Sequence, residues 1–250
     1  MRDNHKMELG TGRPLWLRVC HWTIAIGVLT LAFSGVVIFM SHPRLYWGNV
    51  GNDLTAALIE FPLGPNYKHG GWGPPTHFFS ATGPITQSRI FEIFNENAWA
   101  RSLHFLVAWF LVTAFSVYLT VGLIGGHIWR KLVPTRSEVD LRRIWPDLKA
   151  HLLNKVPASV GVQPYGLIQK CAYLIVVFLA LPTMVLTGLS MSPAVTAAYP
   201  FLPDMFGGTQ SARTIHFCVL CFLLLFFIIH IVMVIVTGFV RQVKAMIWSN

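Results

Sequence analysis

Residues 213–233 read RTIHFCVLCFLLLFFIIHIVM, an almost unbroken apolar run that nevertheless holds two histidines, His216 and His230. The run is long enough to cross a hydrocarbon core, which takes about 20 residues for about 30 Å. A bilayer-spanning helix carries imidazoles only where something occupies them. Fourteen residues advance a helix by about 21 Å and about 1400°, within about 40° of whole turns. The two rings therefore share one face and stand near opposite membrane surfaces.

The rest of the chain has the same character. Of 250 residues, 54% are apolar and 12% charged, with a mean hydropathy of +0.57. Asp, Glu, Lys and Arg are absent from residues 19–40, 102–129, 171–203 and 214–240, so four spans are expected. The runs are continuous and do not alternate with period two, which excludes a barrel and leaves helices to satisfy the backbone in lipid. We expect an all-α integral membrane bundle, one domain over 1–250, with helices at about 17–40, 100–125, 166–191 and 213–240. No internal repeat or low-complexity tract is evident. The first eighteen residues are polar, so no cleavable signal peptide is expected. Four cysteines are too few for a disulfide framework, and Cys218-x-x-Cys221, inside an apolar helix, is read as packing.

The charge excess of +9 orients the chain. With the N-terminus inside, cytoplasmic segments hold fourteen Lys and Arg and the opposite side five: Arg44, Lys68, Arg89, Arg101 and Arg213. This asymmetry places both termini in the cytoplasm, and it argues for contact with anionic lipid and against a nucleic-acid partner. The loop 41–99 is then external. It is rich in Pro, Gly and aromatics, and is expected to form an irregular lid and docking surface. The loop 130–165 is cytoplasmic and basic, with a short amphipathic helix expected in SEVDLRRIWPDLKAHLL. Pro182 should kink the third span.

Depth pairs the histidines. His21 opens span 1 on the inner side with His230; His104 opens span 2 on the outer side with His216. The spans contain no Asp or Glu, so a zinc or copper transport site, which usually recruits carboxylate or cysteine, fits less well than haem. Haem is planar and apolar, lies between bundle helices and takes axial ligands from side chains. Two histidines per iron make an electron carrier. Arg18, Arg101 and Arg213 each stand three residues before a ligand, one turn nearer water, where propionates would point. The haem is b-type, because RVCHW lacks the second cysteine of a covalent attachment motif. His127 is either a rival to His21 or a proton carrier. His5, His42, His69, His77 and His151 are expected at the surface.

RVCHWTIAIGVLTLAFSG with His21, ARSLHFLVAW with His104 and RTIHFCVLCFLLLFFIIHIVMV with His216 and His230 resemble the di-haem cytochrome b subunits of bacterial hydrogenases, formate dehydrogenases and thiosulfate reductases. The stretches SHPRLYWG, LTGLSMSP and FGGTQSARTIHF look most like the thiosulfate-reductase branch. The resemblance implies two haem b groups in an inner-membrane subunit. It also implies electron exchange between the quinone pool and an externally docked molybdenum or nickel-iron catalytic subunit. A quinone site is implied before the third helix, where PYGLIQK offers Tyr165, Gln169 and Lys170, with Gly166 where the family favours Asn. Two further readings are a stand-alone quinol oxidase serving a soluble acceptor and a metal transporter with paired histidines.

Overall fold

Each uncharged run contributes one long helix, with shorter helices following three of them. In the computed structural model, which describes residues 13–40, 42–52, 55–61, 98–135 and 167–248, the spans are α1 (Leu15–Met40), α2 (Ala98–Ile124), α4 (Leu167–Ser190) and α7 (Thr209–Val236). Between and after them lie α3 (His127–Lys131), α5 (Pro193–Ala198), α6 (Phe201–Asp204) and α8 (Phe239–Ile247). Large apolar side chains such as Ile26, Phe33, Phe110, Leu179 and Ile228 are exposed along the spans. That distribution suits a molecule whose solvent is lipid.

The four spans form two antiparallel pairs. α1 packs along α2, and α4 along α7, while backbones of different pairs approach closely at few points. Small residues permit the close contact within a pair: a Cβ on Gly27 of α1 would lie 3.4 Å from Leu111 of α2. At mid-depth the pairs meet through Phe115, Val176, Val177, Ala180, Leu181 and Leu223. Above and below that plug the space between pairs belongs to histidines.

Three expectations are corrected. The break in the third span falls ahead of Pro182, at a π-helical turn over Val176–Ala180. Pro182 has no N–H for the carbonyl four residues back and crowds it, and the helix absorbs the misfit in one wider turn. The fourth span stops at Val236, not residue 240. Gly238 there has φ +104, and α8 follows as a separate helix with Phe239, Val240 and Ile247 exposed, as is Trp248 just past its end, an amphipathic surface helix. It returns to the start of the chain: Arg18 Nη1 donates to the Ile247 carbonyl at 2.6 Å and Trp22 Nε1 to that of Met246 at 3.1 Å. Finally, Cys218 and Cys221 are exposed on the protein surface and are not core filler; Cys20 is buried.

The segment after α1 is strapped across the start of α7. Strands β1 (Arg44–Leu45) and β2 (Ile59–Glu60) pair antiparallel, with an Arg44–Glu60 ion pair at 3.5 Å. Thr214 Oγ1 donates to the Tyr46 carbonyl at 2.6 Å, and Gly48 N–H to Ser211 Oγ at 2.7 Å. Gly208 permits this contact: its φ is +119, and a Cβ would stand 2.5 Å from the Gly48 backbone. His42, expected at the surface, is half-buried, with Nε2 3.0 Å from the Tyr46 hydroxyl. Residues 62–97 and 136–166 lie outside the described residues, and with them His69, His77, His151 and the amphipathic helix expected near residue 140.

Candidate functional site

The structure brings together the two histidine pairs that depth predicts. The His104 and His216 ring centres are 6.4 Å apart with planes at 54°. Those of His21 and His230 are 6.4 Å apart with planes at 52°. Both pairs bridge the gap between helix pairs, since His21 and His104 belong to α1 and α2 and their partners to α7. A metal–imidazole nitrogen bond of about 2.0–2.1 Å, plus about 1.1 Å from nitrogen to ring centre, sets two imidazoles on one ion about 6.3 Å apart. The observed spacing therefore fits one metal between each pair. Among the described residues no three His, Cys, Asp or Glu side chains are grouped to hold an ion.

The surroundings of the pairs differ. At the His104 end, Ser34 Oγ of α1 lies 2.9 Å from His104 Nδ1, and Thr187 Oγ1 of α4 lies 2.9 Å from His216 Nδ1. Each hydroxyl also bonds the carbonyl four residues back, Thr30 at 2.9 Å and Thr183 at 2.7 Å. The residue after each is glycine, and a Cβ on Gly35 or Gly188 would meet the ring Cε1 at 3.4 or 3.5 Å. A short repeat accompanies the device: residues 100–105 read ARSLHF and residues 212–217 read ARTIHF, with Ala100 and Ala212 both fully buried. The expectation of no internal repeat is thus corrected. Neither hydroxyl was singled out from sequence; the signal was Ser34-Gly35 and Thr187-Gly188, each on the partner helix of one ARxxHF.

At the His21 end, His21 Nδ1 is buried with no hydrogen-bond partner. His230 stacks on Phe226 with centres 6.0 Å apart and meets the edge of Tyr173 at 6.4 Å. Tyr173 is a third residue, after Ser34 and Thr187, that sequence reasoning missed.

The three arginines occupy different settings. Arg213 donates to the His42 carbonyl at 2.6 Å and lies over Phe39; Arg101 is exposed nearby on α2. Among the described residues no carboxylate pairs with either, so an anionic group there would meet two guanidinium groups. Arg18 is bound by α8 and keeps a buried, unpartnered Nε.

It is His21, not His127, whose ring faces His230; His127 sits on α3 edge-on to Trp16, with ring centres 5.6 Å apart. Burial, then Lys131 and Arg130, holds its pKa below the ordinary 6.5. Gln169 and Lys170 lie in the first turn of α4, Lys170 only 2% exposed; Tyr165 falls outside the described residues. A cleft of about 320 Å³ opens at the other end of α4 and α7, lined by Trp47, Leu179, Thr183, Thr214 and Cys218 among others.

Paired imidazoles facing one another between membrane helices define a protein of the cytochrome class, in which the bundle ligates its cofactor. The chain belongs to the prokaryotic cytochrome b561 family, whose profile matches residues 12–249. It is 27% identical over 227 residues, 91% of each chain, to the putative protein-methionine-sulfoxide reductase subunit YedZ1 of Azospira oryzae. No solved structure matches it. The family carries haem b and transfers electrons, and the four spans make this chain a multi-pass protein of the bacterial inner membrane.

Proposed function

We propose that the chain is a di-haem cytochrome subunit carrying electrons across the membrane between the quinone pool and a catalytic redox subunit of molybdenum or nickel-iron type. The observation that carries this reading is the recurrence of one imidazole spacing, 6.4 Å, at both ends of the bundle. His104 and His216 hold one haem, His21 and His230 the other. Haem b, when bound, supplies reversible one-electron chemistry at an iron closed to other ligands. The protein residues do the rest. Arg101 and Arg213 neutralise propionates at one end and Arg18 at the other. The apolar spans exclude water.

Charge asymmetry supports an orientation with the His104 end external, where the segment strapped over α7 offers the partner a rigid surface. The relative's name supports a reductase as that partner, and SHPRLYWG and FGGTQSARTIHF support the thiosulfate-reductase-like branch. Quinone is placed at the cytoplasmic end, near Tyr165, Gln169 and Lys170, with His127 as a neutral proton carrier. An electron crossing the full membrane works with or against about 2.3 kcal/mol per 100 mV.

Haem extraction and a reduced-minus-oxidised spectrum test the proposal. Two haem b per chain are expected, and His216→Ala should leave one, with the His21-end component intact. A purified chain without a b-type α-band would sink the reading and revive the metal-transport alternative. Copurification of a molybdenum or nickel-iron subunit separates this proposal from a stand-alone quinol oxidase.

A further inference from the structure

We infer that Ser34 and Thr187 are positioning residues that set the redox potential of the His104 end alone. The inference rests on the di-haem reading. A hydroxyl on a membrane helix commonly bonds the carbonyl four residues back, and Ser34 and Thr187 both do so. That bond uses the hydroxyl hydrogen and leaves lone pairs facing outward. In each case what lies there is a ligand histidine Nδ1, at 2.9 Å. Both hydroxyl residues are fully buried, so water does not compete for the position.

Ordinary back-bonding explains the contacts of each hydroxyl with the carbonyls four and three residues back, at 2.9 and 3.3 Å for Ser34 and 2.7 and 3.1 Å for Thr187, but not the contact with the imidazole. It does not explain why two helices from different pairs present hydroxyl then glycine to the same two ring atoms, Nδ1 and Cε1. With the hydroxyl as acceptor, beside the Leu31 or Met184 carbonyl that each ring also faces, the imidazole keeps its hydrogen on Nδ1 and offers the Nε2 lone pair to the iron. An acceptor on Nδ1–H also makes the ligand more basic. A more basic ligand favours the ferric form, which lowers the potential. His21 lacks such an acceptor, its Nδ1 being buried and unpartnered. One end is therefore tuned downward through both ligands, and the other is not tuned this way through His21.

Spectroelectrochemical titration of the purified haem-loaded protein tests the assignment, with Ser34→Ala, Thr187→Val and the double variant set against Ser34→Thr and Thr187→Ser. The double variant should shift the ferric–ferrous equilibrium of the His104-end component about tenfold toward ferrous, a rise of about 59 mV for a one-electron couple. The His21-end component should not move, and the conservative variants should keep the native value. Retained haem with an unmoved potential, parallel movement of both components, or loss of the native value in the conservative variants each overturns the inference. Failure of the di-haem reading is distinct, because it shows as a native haem count other than two before any variant is made.

Discussion

At the His104 end each imidazole is pinned by a hydroxyl from its neighbouring helix, cradled by a glycine and accompanied by an arginine one turn away. At the His21 end the ring spacing is the same, yet one Nδ1 is orphaned. The surroundings there are aromatic, and the one associated arginine is bound by the last helix of the chain. Equal spacing is what the proposed shared ligand chemistry would demand, whereas the unequal surroundings are free to differ. A buried donor without an acceptor costs about 1–3 kcal/mol, so the His21 end is the less settled of the two.

The comparison is broken most severely by removing ligands. His104→Ala should lower the haem count from two to one and erase the His104-end spectral component; His21→Ala should erase the other. Loss of both from either variant would show that the ends are not independent. Next in size is Gly188→Val. An alanine Cβ there makes ordinary contact with His216, but valine overpacks by about 1–3 kcal/mol. Haem retention should fall at the His104 end only, with Gly188→Ala close to native.

The double variant Arg101→Ala, Arg213→Ala should weaken haem retention at its end by about tenfold, as read by haem-transfer kinetics, and Arg18→Ala should act only at the other. Quinone placement gives a smaller contrast. Lys170→Met should slow quinol-driven reduction, whereas Thr183→Phe, which fills the cleft beside Trp47, should not; the reverse result moves quinone to the His104 end. The smallest effect concerns His127. Its pKa is lowered, so the stability it contributes is full above the ordinary 6.5 and is lost as pH falls through the folded value. Lys131→Gln brings the folded value back toward 6.5 and should shrink that acid loss, as measured by thermal midpoints between pH 7 and pH 5.

Much of the fold was legible in the sequence because lipid imposes one rule on every span: about 20 apolar residues without charge. The histidine pairs were legible for the same reason, since depth follows directly from position along a helix. What was not legible depended on lateral contacts. Ser34 and Thr187 look like any membrane serine or threonine until the neighbouring helix is in place. The end of the fourth span was misplaced because Phe239 and Val240 are apolar enough to continue it, and only Gly238 breaks the helix. Pro182 correctly marked a distortion, but the backbone responds on the N-terminal side of a proline, over Val176–Ala180.

The doubled hydroxyl–glycine device also bears on ancestry. Counting from Ser34 and His104 to His21 and Tyr118, and from Thr187 and His216 to Tyr173 and His230, matches the two halves once the extra residue of the π-helical turn is allowed for. The half built on α1 and α2 thus has His21 and Tyr118 where the half built on α4 and α7 has Tyr173 and His230. A two-helix chain of this kind, paired with a copy of itself, would place two equivalent histidines across one shared axis. At one end the two halves carry the same kinds of residue in the same places; at the other each half has a tyrosine where its counterpart has a histidine, on opposite helices.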